Sequence, residues 1–71
     1  MTASTIIKTE LHKRHIKFST FAEQIGMTKQ NFSNKLNRDN FTSKELFQII
    51  SNLNMIIIIE NPNSDKYTMT Y

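Results

Sequence analysis

Ile7 and Leu11 stand one helical turn apart in a stretch of good helix formers over residues 4–14, with Lys8 and His12 on a polar side, which predicts a first helix. Ile16 interrupts the polar run. Phe18, Phe21, Ala22 and Ile25 then recur at the three-and-four spacing of a helix that buries one face. Gly26, the one glycine of the chain, follows directly on the last apolar residue of that pattern. A left-handed residue at a helix end costs a side chain with a Cβ about 1–2 kcal/mol and glycine almost nothing, so a sharp turn is predicted there. A third helix is predicted after Thr28 as N-cap, with Phe32 and Leu36 four apart and Met27 with Phe32 at the positions of a hydrophobic staple. The fourth helix has the fullest start signal: Thr42 with Glu45 makes a capping box, and Phe41 with Leu46 a second staple. Its buried face is Leu46, Ile49, Ile50 and Leu53, and Asn54, which tolerates the left-handed conformation, is its stop. Residues 37–40 read as a polar loop between the third and fourth helices.

After Asn54 the pattern changes. Residues 55–59 are apolar and mostly β-branched, a run too short for an independent helix, and predict a strand. Residues 61–66, with Pro62, supply turn formers, and Tyr67, Met69 and Tyr71 alternate with Thr68 and Thr70 as in a half-buried second strand. The expected fold is therefore mainly α with a short C-terminal β element: a single domain of four helices over residues 1–54, followed by a β-hairpin or strand pair over residues 55–71. Ile56, Ile57, Ile58 and Ile59 place apolar side chains on both faces of the first strand, which would be an aggregation hazard if left uncovered. A second copy of the chain packed on this strand is the economical cover; a strand buried on both faces within one chain is the rival.

At 71 residues with no cysteine, the chain has neither a disulfide framework nor a Cys-based zinc site to support a small core, which again favours self-association and agrees with a reducing compartment. No apolar run is long enough to span a membrane, and Ile6 and Ile7 give way at once to Lys8 and Glu10, unlike a secretory signal, so a cytoplasmic protein with no membrane partner is expected. Nine Lys and Arg against six Asp and Glu leave a net charge of +3, a balance that favours a polyanionic partner. Lys8, Lys13, Arg14 and Lys17 crowd the first quarter, Lys29, Lys35 and Arg38 the middle, and no acid falls between Glu23 and Asp39. Solvated helix faces would account equally well for these charges taken alone.

Residues 18–37 thus comprise a helix, a turn at Gly26 and a second helix, with small Ala22 where the two must cross closely. This set resembles the helix-turn-helix of the Cro and lambda-repressor superfamily, in which an alanine is followed by the turn glycine and then by two apolar residues, here Ala22, Gly26, Met27 and Phe32. Residues 28–36, TKQNFSNKL, look like the recognition helices of small phage and plasmid regulators of that group. The resemblance covers residues 11–53 and implies a DNA-binding transcriptional regulator. The chain departs from the family in having Lys17 where a Ser or Thr cap is usual and Phe18 where a glutamine often grips a phosphate; Lys17 and Ser19 are the candidates to replace that contact.

With Phe32 and Leu36 facing inward, the other side of the third helix carries donors and acceptors with no acid among them, a surface suited to base edges in a major groove. Lys29, Gln30, Ser33 and Asn34, near the N-terminal turns, are the candidate base-contacting residues. Thr28, Asn31, Lys35, Asn37 and Arg38, together with Lys17 and Ser19, are the candidates for the DNA backbone. Any solvated helix shows polar residues opposite an apolar stripe; the lone glycine, the small alanine and the absence of acids raise this one above that reading. His12 and His15 are expected to be surface histidines without a metal, and no nucleophile, phosphate loop or paired carboxylates suggest an enzyme or a cofactor. The leading expectation is a repressor that binds a palindromic double-stranded DNA operator as a homodimer through residues 56–59. An antitoxin or antagonist that uses the same fold to bind a protein partner is the alternative. A nonspecific architectural protein is disfavoured by the modest charge and the amide-rich face.

Overall fold

Thr2, Thr28 and Thr42 begin three of the four helices in the same way. The computed structural model describes residues 1–69, which form α1 (Ala3–Lys13), α2 (Phe18–Gln24), α3 (Lys29–Arg38), α4 (Ser43–Asn52), β1 (Ile57–Glu60) and β2 (Lys66–Met69). Each of the three threonines has extended backbone, and its hydroxyl oxygen accepts the N–H three residues on, from Thr5 at 3.2 Å, Asn31 at 3.1 Å and Glu45 at 3.1 Å. At Thr42 the capping box is complete, because the Glu45 carboxylate accepts the Thr42 N–H at 2.8 Å. Lys17 precedes α2 with no side-chain cap.

All four helices end on a left-handed residue: His15, Gly26, Asp39 and Asn54, with φ of 57°, 74°, 52° and 56°. After α1, α2 and α4 the next residue's N–H reaches back to the last turn, from Ile16 to the Leu11 carbonyl, Met27 to Ala22 and Met55 to Ile50, and its apolar side chain packs on the core. This is the Schellman closure, which satisfies carbonyls that a helix end leaves orphaned. Gly26 and Asn54 fill the positions expected of them, while His15 and Asp39 do so without a glycine. Because α3 runs on to Arg38, Asn37 and Arg38 are helical rather than part of a loop. Because Met55 still closes α4, β1 starts at Ile57 rather than at residue 55.

The core lies between α1, α2, α3 and α4. Ile7, Leu11, Phe21, Ala22, Ile25, Phe32, Leu36, Ile49 and Leu53 form one buried cluster, with Met27, Phe41 and Leu46 packed against it where the staples were expected. Phe32 is its hub, with ring centroids 6.1 Å from Phe18, 5.7 Å from Phe21 and 6.3 Å from Phe41. Polar ties link the helices around this centre. Ser4, buried, donates both its N–H and its hydroxyl to the Asp39 carboxylate at 3.0 and 2.8 Å, placing a negative charge at the positive end of α1. Gln48 donates from α4 to the Ile25 carbonyl at 3.1 Å, at the end of α2.

β1 and β2 pair antiparallel with Ile57 opposite Met69, Ile58 opposite Thr68, Ile59 opposite Tyr67 and Glu60 opposite Lys66. Their turn is organised by Asn61, whose side-chain oxygen accepts the N–H groups of Asn63 and Asp65, and Ser64 takes the left-handed position. The fold is thus mainly α with a C-terminal two-stranded sheet, as the hydrophobic pattern predicts. The second strand is not half-buried, however. Tyr67 and Met69 are both exposed, and Met69 borders a cleft of about 470 Å³, lined also by Phe47, Ile50, Met55 and Ile57, between the hairpin and α4. Thr70 and Tyr71, assigned to this strand by their alternation, lie outside the described residues. No helix among the described residues is long and apolar enough to cross a membrane.

Candidate nucleic-acid interface

The capped start at Thr28 and the Gly26 turn deliver α3 with Phe32 and Leu36 buried, which leaves the side opposite them to solvent. At about 100° per residue, Gln30, Asn34 and Asn37 line up along the side opposite the core, with Asn31 and Arg38 next to them. All five are exposed. Within the row, the Gln30 amide donates to the Asn34 amide oxygen at 3.1 Å, so the two side chains hold each other on the outer surface. Lys29 is exposed at the first turn and Thr28 is exposed while its hydroxyl caps the helix.

Two candidates sit differently. Ser33 is half-buried on the flank of α3, at the margin of the outer row. Lys35 is on the opposite flank, and its ammonium lies 3.1 and 3.0 Å from the two carboxylate oxygens of Glu45, with the two side chains 21% and 23% exposed. Lys35 is therefore engaged within the fold, whereas Asn37, expected only to hold the DNA backbone, shares a row with Gln30 and Asn34. Its spacing of seven from Gln30, two helical turns, is the signal that places it there.

Charge is distributed in keeping with this geometry. Among the described residues, Lys8, Lys17, Lys29, Arg38 and Lys44 make no ion pair, while Lys13 and Arg14 share Glu10 and Lys66 pairs with Glu60. Lys17 and Ser19 are exposed at the start of α2, and Lys29 and Arg38 stand at the two ends of α3. The acids nearest α3 in sequence after it are occupied, Asp39 by Ser4 and Glu45 by Lys35 and Thr42. The bond from the Thr42 backbone N–H and the Lys35 ammonium hold the Glu45 carboxyl below its ordinary range, so it stays ionised at neutral pH. Among the described residues no three His, Asp or Glu side chains gather as a metal site, and His12 and His15 are exposed.

The hairpin carries a second surface of opposite character. Ile56, Ile58, Ile59 and Tyr67 are 65%, 52%, 51% and 59% exposed, on both faces of the sheet. Ile57 alone of the four isoleucines is half-buried, turned to the cleft beside α4.

A family model matches residues 1–58. The chain belongs to the DUF6471 family. That family is described as a domain of unknown function, and the match spans all four helices and the first two residues of β1. No curated protein and no solved structure matches the chain.

Proposed function

We propose that this DUF6471 chain is a sequence-specific double-stranded DNA-binding transcriptional regulator, a repressor that occupies a palindromic operator as a homodimer. The observation that carries this reading is the outer row of α3: exposed amides and cations, no acid, on a short helix whose other side is buried. Gln and Asn side chains pair bidentately with adenine and Lys donates to guanine, each good contact contributing about 1–3 kcal/mol of discrimination. Lys29, Gln30, Ser33 and Asn34 read bases in this proposal, joined by Asn37; Thr28, Asn31 and Arg38, with Lys17 and Ser19 from α2, hold phosphates and set the register. The resemblance of Ala22, Gly26, Met27 and Phe32 to the Cro and lambda-repressor pattern supports the same reading.

A ten-residue helix reads only a few base pairs, so one copy would discriminate poorly. The hairpin offers a route to a second copy, since its exposed isoleucines need cover and a twofold pairing would supply it. Two recognition helices so joined would address half-sites about 34 Å apart, one turn of DNA. In vitro selection from random duplex DNA tests the proposal. A palindromic consensus is expected, and failure to enrich any sequence at low salt, with the chain folded, would overturn it.

The same apolar hairpin favours a second reading, in which the chain is an antitoxin or antagonist and the hairpin grips a different protein. Sedimentation separates the two, because the repressor reading expects a dimer of the chain alone and the antagonist reading a monomer that becomes a complex with its partner.

A further inference from the structure

We infer, resting on the DNA-binding reading of α3, that Lys35 does not bind DNA but positions the recognition helix by clamping it to the capping box of α4. Its ammonium lies on both oxygens of Glu45, at 3.0 and 3.1 Å, on the flank of α3 away from the Gln30 and Asn34 row. Glu45 is itself immobilised, since its carboxylate accepts the Thr42 N–H at 2.8 Å and its own N–H donates to the Thr42 hydroxyl at 3.1 Å. The clamp therefore ends on a group fixed at two points rather than on a freely rotating carboxylate.

The backbone of the same residue makes the closure of α3. The Lys35 carbonyl accepts the N–H groups of Asp39 and Asn40, and the Asp39 carboxylate thus held accepts both donors of Ser4 on α1. Through Lys35 and Asp39 the C-terminal half of α3 is tied to α4 and to α1 by polar contacts of fixed geometry. The N-terminal half is centred on the Phe32 ring cluster, which has no directional bond to resist rotation. Loss of the Lys35 clamp removes the tie to α4 and leaves that end of α3 held by buried Leu36 and the Asp39–Ser4 bonds alone, a looser seat that permits a small tilt about Phe32. Paired side-chain contacts to a base edge weaken steeply with angle, whereas attraction to phosphates does not.

The test compares Lys35→Met, Glu45→Gln and Lys35→Arg with wild type, measuring affinity for the selected site and for random duplex across a salt series. Lys35→Met keeps the apolar stem and lowers the net charge by one; Glu45→Gln raises it by one. Long-range attraction therefore moves in opposite directions in the two variants. The ratio of specific to nonspecific affinity is expected to fall about tenfold in both, an amount near one lost base contact, and to recover in Lys35→Arg. Simple unfolding removes active protein equally for both DNAs and leaves that ratio unmoved.

If Lys35 instead binds a phosphate, Lys35→Met weakens both DNAs alike and reduces the salt slope by about one, while Glu45→Gln frees the ammonium and strengthens both. That result, or unchanged ratios in both variants, overturns the assignment of Lys35 alone. A folded wild-type chain that selects no site overturns the DNA reading and the positioning role with it.

Discussion

Gly26→Ala isolates the contribution of one backbone angle. Gly26 has φ of 74°, and a Cβ added there meets nothing within 4 Å, so the substitution introduces no clash and its cost is conformational. The left-handed region costs an L residue about 1–2 kcal/mol. Alanine recovers about 0.4–1 kcal/mol of this by restricting the unfolded chain, which leaves a net loss of about 1 kcal/mol. For a domain of this size each kcal/mol moves the unfolding midpoint by about 4–8 °C. The other helix ends supply the reverse experiment. His15 occupies the same conformation at φ of 57° with an exposed side chain, so His15→Gly should raise the midpoint by a similar amount. Asp39→Gly relieves the same strain but forfeits both hydrogen bonds from buried Ser4, each worth about 1.5–3 kcal/mol when one partner is charged, and should lower it. The assay is thermal unfolding followed by far-UV circular dichroism at one fixed chain concentration, because the midpoint of a self-associating chain depends on concentration. The expected order is His15→Gly above wild type, with Gly26→Ala and Asp39→Gly below. A Gly26→Ala midpoint equal to wild type, or a fall for His15→Gly, would refute the reasoning that these closures are governed by backbone conformation.

Three further outcomes are expected. Gln30→Ala and Asn34→Ala should each weaken binding to the selected site by about 1–3 kcal/mol and leave random DNA unaffected; because the two amides are hydrogen-bonded, the double variant should lose less than the sum, and strict additivity would show that they act separately. Ile58→Lys, at a position 52% exposed, should leave the monomer folded and abolish the dimer in sedimentation, whereas a wild-type chain that is monomeric at micromolar concentration would remove the hairpin from that role. Glu45 has its pKa lowered in the fold, so its contribution to stability is full above the ordinary glutamate range and is lost as pH falls through the lowered value. Wild type should accordingly be more stable than Glu45→Gln at pH 7, with the gap closing under acid titration; a gap that persists unchanged in acid would exclude the carboxylate as its source.

What was legible in the residues, and what was not, follows the range of the interactions. Thr28 and Thr42 announce their helices because a cap and the N–H it accepts are three residues apart, and the Phe32 and Leu36 spacing reports a buried face for the same reason. His15 and Asp39 close helices no less than Gly26 does, but a left-handed angle leaves no mark on residue type when the closing hydrogen bonds outweigh its cost. Ser4 with Asp39, Gln48 with Ile25 and Lys35 with Glu45 are separated by 35, 23 and 10 residues, so no local periodicity exposes them. The helical pattern places Lys35 with Thr28, Asn31, Asn37 and Arg38 among the candidates for the DNA backbone, and only the position of α4 shows where its ammonium goes. The hairpin is legible in its turn residues, but the exposure of Tyr67 and Met69 is not, because alternation says which residues share a face and not whether anything lies against it.

These long-range ties also sharpen the case for the outer row of α3. The core absorbs Phe32 and Leu36, the cap absorbs Thr28, the clamp absorbs Lys35, and Asp39 beyond the helix is absorbed by Ser4. Subtracting every side chain that the fold itself employs leaves the half-buried Ser33 and the exposed Lys29, Gln30, Asn31, Asn34, Asn37 and Arg38; among the described residues, the charged and amide groups of these six bond within the chain only between Gln30 and Asn34. Stability alone places no demand for amides here: alanine, glutamate or lysine would hold an exposed helix surface at least as well as asparagine, which is a poor helix former. Three asparagines on the exposed side of a ten-residue helix therefore work against its local stability, and under the proposed function contact with a DNA base edge would be the compensating interaction.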